Sequence, residues 1–239
     1  MKREVAIDGI YHVLSRGVDK RNIFLDNEDY LRFIHDLFEF NDTEPINNLT
    51  YFFRNKSEDA NNKVIARPYI VRGERKPRKL LVEILAFCLM PNHYHLLLKP
   101  KTDDGLFKFM KRLNMGYARY FNEKYTRSGA LFEGRYKSVL VKNDAHFIHL
   151  PYYIHLNPLD LGFPEWRIGE IKNYEEAVSF LENYRWSSFI DYIGNNNFPS
   201  VTQREFLSKF WEGPEQYRKD IRRWLEERQY GENRDLFLE

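Results

Sequence analysis

The spacing of hydrophobic residues predicts a strand and then a helix in the first forty residues. Ile10 to Ser15 reads IYHVLS, a short run typical of a strand, and turn-forming residues follow it. From Asn27 to Glu39 the apolar side chains recur at the three- and four-residue spacing of a helix, and Asn27 can cap its first turn. We therefore expect a strand followed by a helix.

A polar stretch separates this helix from a strongly apolar segment. Asn41 to Arg78 is rich in Asn, Pro and charge and has only fragments of a pattern, so we interpret it as an inserted loop or arm. Lys79 to Met90 (KLLVEILAFCLM) is almost continuously apolar, which is typical of a buried strand. Pro91-Asn92 then supplies a turn, and His93 to Lys99 returns as a second strand. The segment predicts a β-hairpin.

Helical and strand patterns alternate again after the hairpin. Gly105 to Tyr125 has helical spacing, Lys137 to Val141 is best placed as a strand, and Asp144 can cap a helix that runs to about Asn157. The order strand, helix, strand, strand, helix, strand, helix predicts an α+β fold with a ferredoxin-like antiparallel sheet and helices on one face.

The character of the chain changes after Trp186-Ser187-Ser188. Gln203 to Gln229 is amphipathic, so we expect a helical C-terminal extension. We accordingly divide the chain into a domain over residues 1–192, which includes the arm, and an extension over residues 193–239.

Composition narrows the class of protein. A chain of 239 residues with 43% hydrophobic content can bury a sizeable core. No apolar run resembles a signal peptide or a membrane span, so we expect a cytoplasmic protein without a membrane partner. The single cysteine, Cys88, excludes an internal disulfide and a cysteine-rich zinc module, and its apolar surroundings predict a buried thiol. No GxxxxGK[ST] loop is present, so no nucleotide cofactor is expected.

Charge is distributed unevenly, although the formal net charge is only +2. Lys63 to Lys79 has seven basic residues and one acidic residue, and Gly105 to Lys142 has nine basic and two acidic residues. A solvated surface explains either stretch alone. Because the two stretches flank the hairpin, we favour a polyanion as the partner.

The strongest chemical feature is the pair His93 and His95 at the start of the second hairpin strand. Side chains alternate along a strand, so both imidazoles point to the same face, close enough to share one ion. Imidazole binds most divalent metals. The alternative is that one or both histidines are ordinary polar residues of a half-buried strand.

A third ligand and a nucleophile can come from the predicted helix that begins at Asp144. Tyr153 and Asn157 are four residues apart and share a helix face. Two imidazoles and an amide oxygen with open positions suit Mg²⁺ or Mn²⁺ better than a closed zinc site. A phenol beside such an ion can attack phosphorus. The alternative is a structural Tyr153 in a chain with 16 tyrosines; Tyr152 is a weaker candidate because it projects about 100° around the helix.

These residues carry a resemblance to a known family. MPNHYHLLLKP resembles the HUH signature of single-tyrosine transposases, and it is similar to the transposases associated with repetitive extragenic palindromes (REP). Three further stretches agree in order: YHVLSRGVDKRNIF, GALFEGRYKSVLV, and YYIHLNPLDLG with WSSF beyond it. The resemblance covers roughly residues 8 to 192 and is interrupted by the arm.

The resemblance implies a function as well as a fold. It implies a transposase that cuts and rejoins single-stranded, hairpin-forming DNA through a covalent 5′-phosphotyrosine, with Mg²⁺ or Mn²⁺ as cofactor. The metal ligands then fall on His93, His95 and Asn157, and the nucleophile falls on Tyr153. Members of the family often act as dimers, so the resemblance implies a possible homodimer, and it places the protein at the nucleoid of a prokaryotic cell.

Candidate DNA contacts follow partly from the resemblance and partly from charge. The resemblance implies Arg16, Arg135, Tyr136 and Lys137, although Tyr136 could equally be a structural residue of its strand. Arg112 and Arg119 on the helix from Gly105 to Tyr125 would suit phosphates, whereas the aromatic residues of that helix are more typical of a core. The basic half of the arm could clamp DNA or could simply pack or be disordered.

Two other functions remain open at this point. A domesticated, non-catalytic module could bind DNA hairpins without cutting them, but the joint presence of both histidines, Tyr153 and Asn157 argues against it. A replication initiator or relaxase would use the same chemistry, but such proteins usually have a helicase domain or a longer chain.

Overall fold

A computed structural model describes residues 9–44, 78–142 and 144–227 of the chain. Four strands form one antiparallel sheet with the order β2-β3-β1-β4. Their bounds are β1 Tyr11–Arg16, β2 Val82–Met90, β3 His93–Pro100 and β4 Lys137–Leu140. The predicted arm lies largely outside the described residues, so its role stays a prediction.

Two helices cover one face of the sheet. Helix α1 (Asn27–Glu39) lies between β1 and β2 in the chain, and α2 (Gly105–Lys124) lies between β3 and β4. This element order and strand order make the fold ferredoxin-like, as the hydrophobic pattern predicts. One core joins Phe33 of α1 and Tyr117 of α2 to Val13 of the sheet. The interpretation of the α2 aromatic residues as core is thereby confirmed.

The N-terminal cap of α1 differs from the prediction. The side chain of Asp26 accepts a hydrogen bond from the backbone N–H of Asp29 at 3.0 Å, so Asp26 is the cap and Asn27 is the first residue of the helix. Either side chain can cap a helix. The choice depends on the extended backbone of Asp26, which the residue types alone do not reveal.

A second layer of helices covers the opposite face of the sheet. A second core joins Cys88 and Leu97 of the hairpin to Ile154 and to Trp224 near the C-terminal end of the described chain. Burial on both faces explains why the β2 segment is almost continuously apolar. The helices after β4 are α3 Asp144–Leu156, α4 Tyr174–Asn183, α5 Phe189–Tyr192, α6 Glu205–Ser208 and α7 Pro214–Glu226. Within the described ranges, none of the helices combines the length and apolarity needed to cross a membrane.

Residues on both sides of position 192 contribute to this second core. Leu150 of α3 and Ile221 of α7 belong to the same buried cluster. The division of the chain at residue 192 stays a prediction. The prediction of a buried thiol at Cys88 is confirmed, and burial raises the pKa of that thiol.

One edge of the sheet is covered by the segment that follows α4. Backbone N–H groups of Ser188 and Gln203 donate to Phe87 and Ile84 of β2, at 3.0 and 2.9 Å. Leu89 donates in return to Trp186 at 2.9 Å. An unpaired strand edge invites association with other strands, so these bonds protect β2.

Asn41 anchors the beginning of the predicted arm to the beginning of β2. Its amide oxygen accepts from the backbone N–H groups of Leu81 and Val82, and its amide nitrogen donates to the carbonyl of Val82. The Asn41 side chain is buried, so these bonds replace water completely. A polar side chain at the edge of a polar stretch therefore has a structural role.

We expect Asn41→Ala to lower the free energy of unfolding by roughly 2–3 kcal/mol, because each buried backbone group left without a partner costs about 1–3 kcal/mol. The measurement is urea unfolding followed by circular dichroism. The matched control is Asn183→Ala, which removes an exposed bond to the carbonyl of Ser179 in α4 and should change stability by less than about 0.5 kcal/mol. Equal effects of the two substitutions would contradict the anchoring role.

His155 connects α3 to two other parts of the second layer. Its Nδ1 lies 2.6 Å from the Tyr217 hydroxyl, and its Nε2 lies 2.8 Å from the Ser188 hydroxyl. Complete burial lowers the pKa of His155 from 6.5 to about 3. The folded state therefore holds this imidazole neutral at pH values where the unfolded chain protonates it.

Stability should consequently fall as the pH drops below 6.5, because the unfolded state then binds the extra proton; the loss continues until the folded pKa of about 3 is reached. Each such histidine contributes a slope of at most about 1.4 kcal/mol per pH unit. Urea unfolding at a series of pH values measures this slope. His155→Gln should give a shallower slope than the wild type, and identical slopes would show that His155 does not contribute.

Candidate active site

The two histidines of the PNHYH motif lie on the face of the sheet that carries the second layer. In the register of β1 and β3, His93 pairs with Arg16 and His95 pairs with Leu14. The imidazole rings of His93 and His95 are 5.0 Å apart between centroids and nearly perpendicular. His95 is buried, whereas His93 is partly exposed. The structure therefore brings the predicted pair of ligands together, with one ring at the surface.

Helix α3 places the predicted nucleophile beside His95, the buried member of this pair. The ring of Tyr153 lies 5.5 Å from the ring of His95, edge to face, and the Tyr153 side chain is fully buried. Its neighbour Tyr152 points to the C-terminal helices, where it stacks on Tyr217 and accepts a hydrogen bond from Trp211 at 2.7 Å. Only one tyrosine of the YY pair thus faces the histidines.

Asn157 follows Tyr153 by one helical turn and is also fully buried. Its amide nitrogen donates to the backbone carbonyl of Tyr153 at 2.7 Å. Its amide oxygen has one long contact, 3.5 Å, with the guanidinium of Arg167. The amide is therefore oriented by its nitrogen, and its oxygen keeps a lone pair for another partner.

Arg167 is a site residue that the sequence patterns do not indicate. Its guanidinium binds both carboxylate oxygens of Asp160, each at 2.7 Å, and lies 5.9 Å from the centroid of the Tyr153 ring. The residue belongs to a short 3-10 helix, Pro164–Ile168, which lies between the motifs YYIHLNPLDLG and WSSF. No spacing rule connects this segment to the tyrosine, so only the folded chain reveals the contact.

His12 is a second residue that sequence reasoning missed. It lies on β1, diagonal to His95 on the same face, and its Nε2 is 2.9 Å from His95 Nδ1. His12 is fully buried, and its ring lies 5.9 Å from the ring of Tyr153. A histidine on an otherwise apolar strand is a sequence signal that could have drawn attention to His12. Its place in the site becomes clear only when the strand that pairs with β1 is known.

Burial keeps the inner histidines neutral. The pKa of His95 is well below its usual range, first because of burial and then because His93, His12 and Arg167 are cationic or can become so. The pKa of His12 is lowered to about 3, mainly by burial. A neutral imidazole is the form that binds metal ions, so burial favours the metal-binding form of His95.

The donor groups fit a hard divalent ion. Two imidazole nitrogens and the amide oxygen of Asn157 form a mixed nitrogen and oxygen set, which suits Mg²⁺ or Mn²⁺. Among residues 9–44, 78–142 and 144–227, no group of three or more His, Cys, Asp and Glu side chains could hold a metal ion. Within the described part of the chain, the amide oxygen of Asn157 is the candidate for a third protein ligand.

Two of the predicted DNA contacts lie on the same face as the histidines. Arg16 is paired across the strands with His93, and its guanidinium donates to Glu133 at 2.9 and 3.0 Å. Lys137 is paired with Leu14, which places it in the cross-strand row of His95. Arg135 is exposed nearby in the chain, but Tyr136 packs against the first core, which favours its structural interpretation.

The other two predicted contacts lie on α2, on the opposite side of the sheet. The guanidinium of Arg112 donates to the backbone carbonyl of Asp42, at the beginning of the arm. Arg119 is exposed and pairs with Glu123 at 2.8 Å. The structure therefore does not bring Arg112 and Arg119 to the histidines, and any contact they make with DNA would lie away from the candidate active site.

Comparison with known proteins adds independent information. The model of the IS200-like transposase family matches residues 70–157, less than half of the chain. A solved structure of a REP-associated tyrosine transposase bound to a REP hairpin is similar over 84% of this chain and 88% of that chain, with 14% sequence identity and a TM-score of 0.45. No curated protein matches. The family match includes both histidines, Tyr153 and Asn157, and it agrees with the resemblance that the motifs carry.

Proposed function

We propose that the protein is a transposase that cleaves and rejoins single-stranded, hairpin-forming DNA through Tyr153. The observation that carries the proposal is the position of the Tyr153 ring, 5.5 Å from His95 and one helical turn before Asn157. A phenol therefore lies beside the imidazole pair, and the Asn157 amide is bonded to the backbone of the same tyrosine. This combination suits attack on a phosphodiester.

The chain's own residues perform defined steps in this proposal. The phenolic oxygen of Tyr153 forms a bond to phosphorus as the bond from phosphorus to the 3′ oxygen breaks. In the net reaction, the leaving 3′ oxygen takes up the proton that the phenol loses. The downstream strand stays attached as a 5′-phosphotyrosine, and attack by another 3′-hydroxyl reverses the step and joins the strands.

His93, His95 and Asn157 would hold the divalent ion. When bound, Mg²⁺ or Mn²⁺ supplies Lewis-acid polarisation and orientation of the scissile phosphate. Arg167 lies 5.9 Å from the centroid of the Tyr153 ring, which places a positive charge beside the proposed nucleophile. Asp160 holds that guanidinium in place through two bonds.

The path of the DNA is proposed along the open edge of the site. His93, Arg16 and Arg167 are each partly exposed, whereas Tyr153 is fully buried. Arg167 lies over the Tyr153 ring, so an entering phosphate would displace this guanidinium from the ring. Arg16 and Lys137 would then contact phosphates on either side of the histidines.

The burial of Tyr153 also favours a second candidate function. A hairpin-binding module without catalysis would have no need for an accessible phenol, and the site is closed over the tyrosine. Such a module would still use the basic residues at the edge of the sheet. Both candidate functions predict binding to DNA hairpins, but only the transposase predicts a covalent bond between Tyr153 and DNA.

The deciding experiment is a covalent adduct assay. Labelled single-stranded hairpins with flanking sequence from the protein's own genomic neighbourhood are incubated with Mg²⁺ or Mn²⁺ and resolved on a denaturing protein gel. We expect an adduct that disappears with chelator and is abolished by Tyr153→Phe, because the substitution removes only the attacking oxygen. Hairpin binding should stay nearly unchanged.

Tyr152→Phe is the matched control for this experiment. It removes the same atom from the adjacent residue, whose hydroxyl faces Trp211 instead of the histidines. The adduct should persist in this variant. Binding without an adduct in the wild type, under both metals, would establish the non-catalytic module instead.

A second prediction concerns Arg16. Because Glu133 occupies its guanidinium, Glu133→Gln should release Arg16 and strengthen hairpin binding by roughly three- to tenfold at low salt, with a smaller gain at high salt. Fluorescence anisotropy with a labelled hairpin measures the affinity. Glu226→Gln removes the same charge from an ion pair with Arg222 on α7 and should have little effect. An equal gain in both variants would indicate a net-charge effect without a contact to Arg16.

A further inference from the structure

The two predicted histidine ligands each have a partner for the ring nitrogen Nδ1. Asn92 contacts His93 Nδ1 through its amide oxygen at 2.6 Å. The amide nitrogen of Asn92 donates to the backbone carbonyl of Lys20 at 3.2 Å, which fixes the orientation of the amide. An amide oxygen only accepts hydrogen bonds. His93 therefore carries its proton on Nδ1 and keeps the lone pair on Nε2.

The corresponding partner of His95 is another imidazole. His12 Nε2 lies 2.9 Å from His95 Nδ1, the two ring planes are inclined by 23°, and both side chains are buried. Each neutral ring carries one proton. The contact therefore has two possible forms: His95 donates from Nδ1, or His12 donates from Nε2.

The two forms differ in whether Nε2 of His95 can bind a metal ion. If His12 donates, the proton of His95 sits on Nε2, and that nitrogen cannot bind a metal ion. If His95 donates, its Nε2 carries no proton, and that nitrogen can bind a metal ion. Histidine ligands in metal sites almost always donate their other ring N–H to a fixed acceptor, and losing that acceptor typically costs about 10- to 100-fold in affinity or activity.

We propose that His12 is a positioning residue that accepts the Nδ1–H of His95 and so holds the His95 Nε2 lone pair toward the same ion as His93. The part that concerns the ion rests on the proposed function. The direction of the hydrogen bond does not, because it can be measured in the protein without metal or DNA.

The position of His12 supports this role. The antiparallel register places it two residues from Leu14, the cross-strand partner of His95, and therefore diagonal to His95 on the same face. His12 Nδ1 has no hydrogen-bond partner among the atoms of the described residues. Within the described residues, the bond to His95 is therefore the side-chain hydrogen bond that orients the buried His12 ring.

The direct test is the tautomer of each ring, read from long-range ¹H–¹⁵N correlations of histidine-labelled protein at neutral pH without metal. His12→Gln and His35→Gln assist the assignment of the ring signals. We expect the Nδ1–H tautomer for His93, His95 and His12. A His95 ring protonated on Nε2 would overturn the proposal.

Metal affinity provides a second readout that does not depend on cleavage. His12→Leu should weaken Mn²⁺ binding by roughly 10- to 100-fold, as expected when the acceptor of a histidine ligand is lost. His12→Gln offers an oxygen where Nε2 stood and should restore most of the affinity. Electron paramagnetic resonance of free Mn²⁺ gives the dissociation constants, and thermal unfolding checks that the variants fold.

The control for metal binding is His35→Gln, which changes a histidine on α1, on the other side of the sheet. It should leave Mn²⁺ affinity unchanged. Equal loss with Leu and Gln at position 12, no loss with either, or no Mn²⁺ binding by the wild type would each overturn the proposal. The expected tautomers and Mn²⁺ binding without any DNA adduct would instead remove the proposed cleavage and leave the role of His12 intact.

Discussion

The antiparallel pairing of β1 with β3 is the interaction on which the candidate site depends. It sets Arg16 opposite His93 and Leu14 opposite His95, so every second side chain of both strands faces the same layer. A shift of one residue would turn His12 and Arg16 to the other face, into the core with α1 and α2. The apolar partners of that core, such as Val13 and Leu96, prevent such a shift because they would lose their burial.

The second layer covers this face of the sheet with helices. Tyr153 is held over the histidines because the rest of α3 is bonded to the C-terminal part of the chain. Tyr152 accepts a bond from Trp211, and His155 bonds to Tyr217. The helices that follow the family's recognisable motifs therefore orient the residue on which the proposed chemistry depends. Burial of their apolar side chains provides the free energy for this arrangement.

Local sequence patterns predicted most helices and strands because these elements depend on interactions between residues that are close together in the chain. The helical spacing of α1 and α2 and the alternation of apolar and polar residues in β3 report which side of each element is buried. The pair His93 and His95 was predictable for the same reason, since a spacing of two on a strand places both on one face. Tyr153 and Asn157 followed from helical geometry and from resemblance to the family. Helix α4 was not predicted, and the cap of α1 was assigned one residue late.

The sequence by itself determined the ferredoxin-like order of elements and the residues that resemble the family's catalytic set. Only the tertiary structure decided that His12 meets His95, that Arg167 lies beside Tyr153, and that Arg112 and Arg119 are on the far side of the sheet. The physical reason is the range of the interactions. Periodicity reports the environment of one element at a time, whereas a contact across 83 residues depends on which strands pair and in which register.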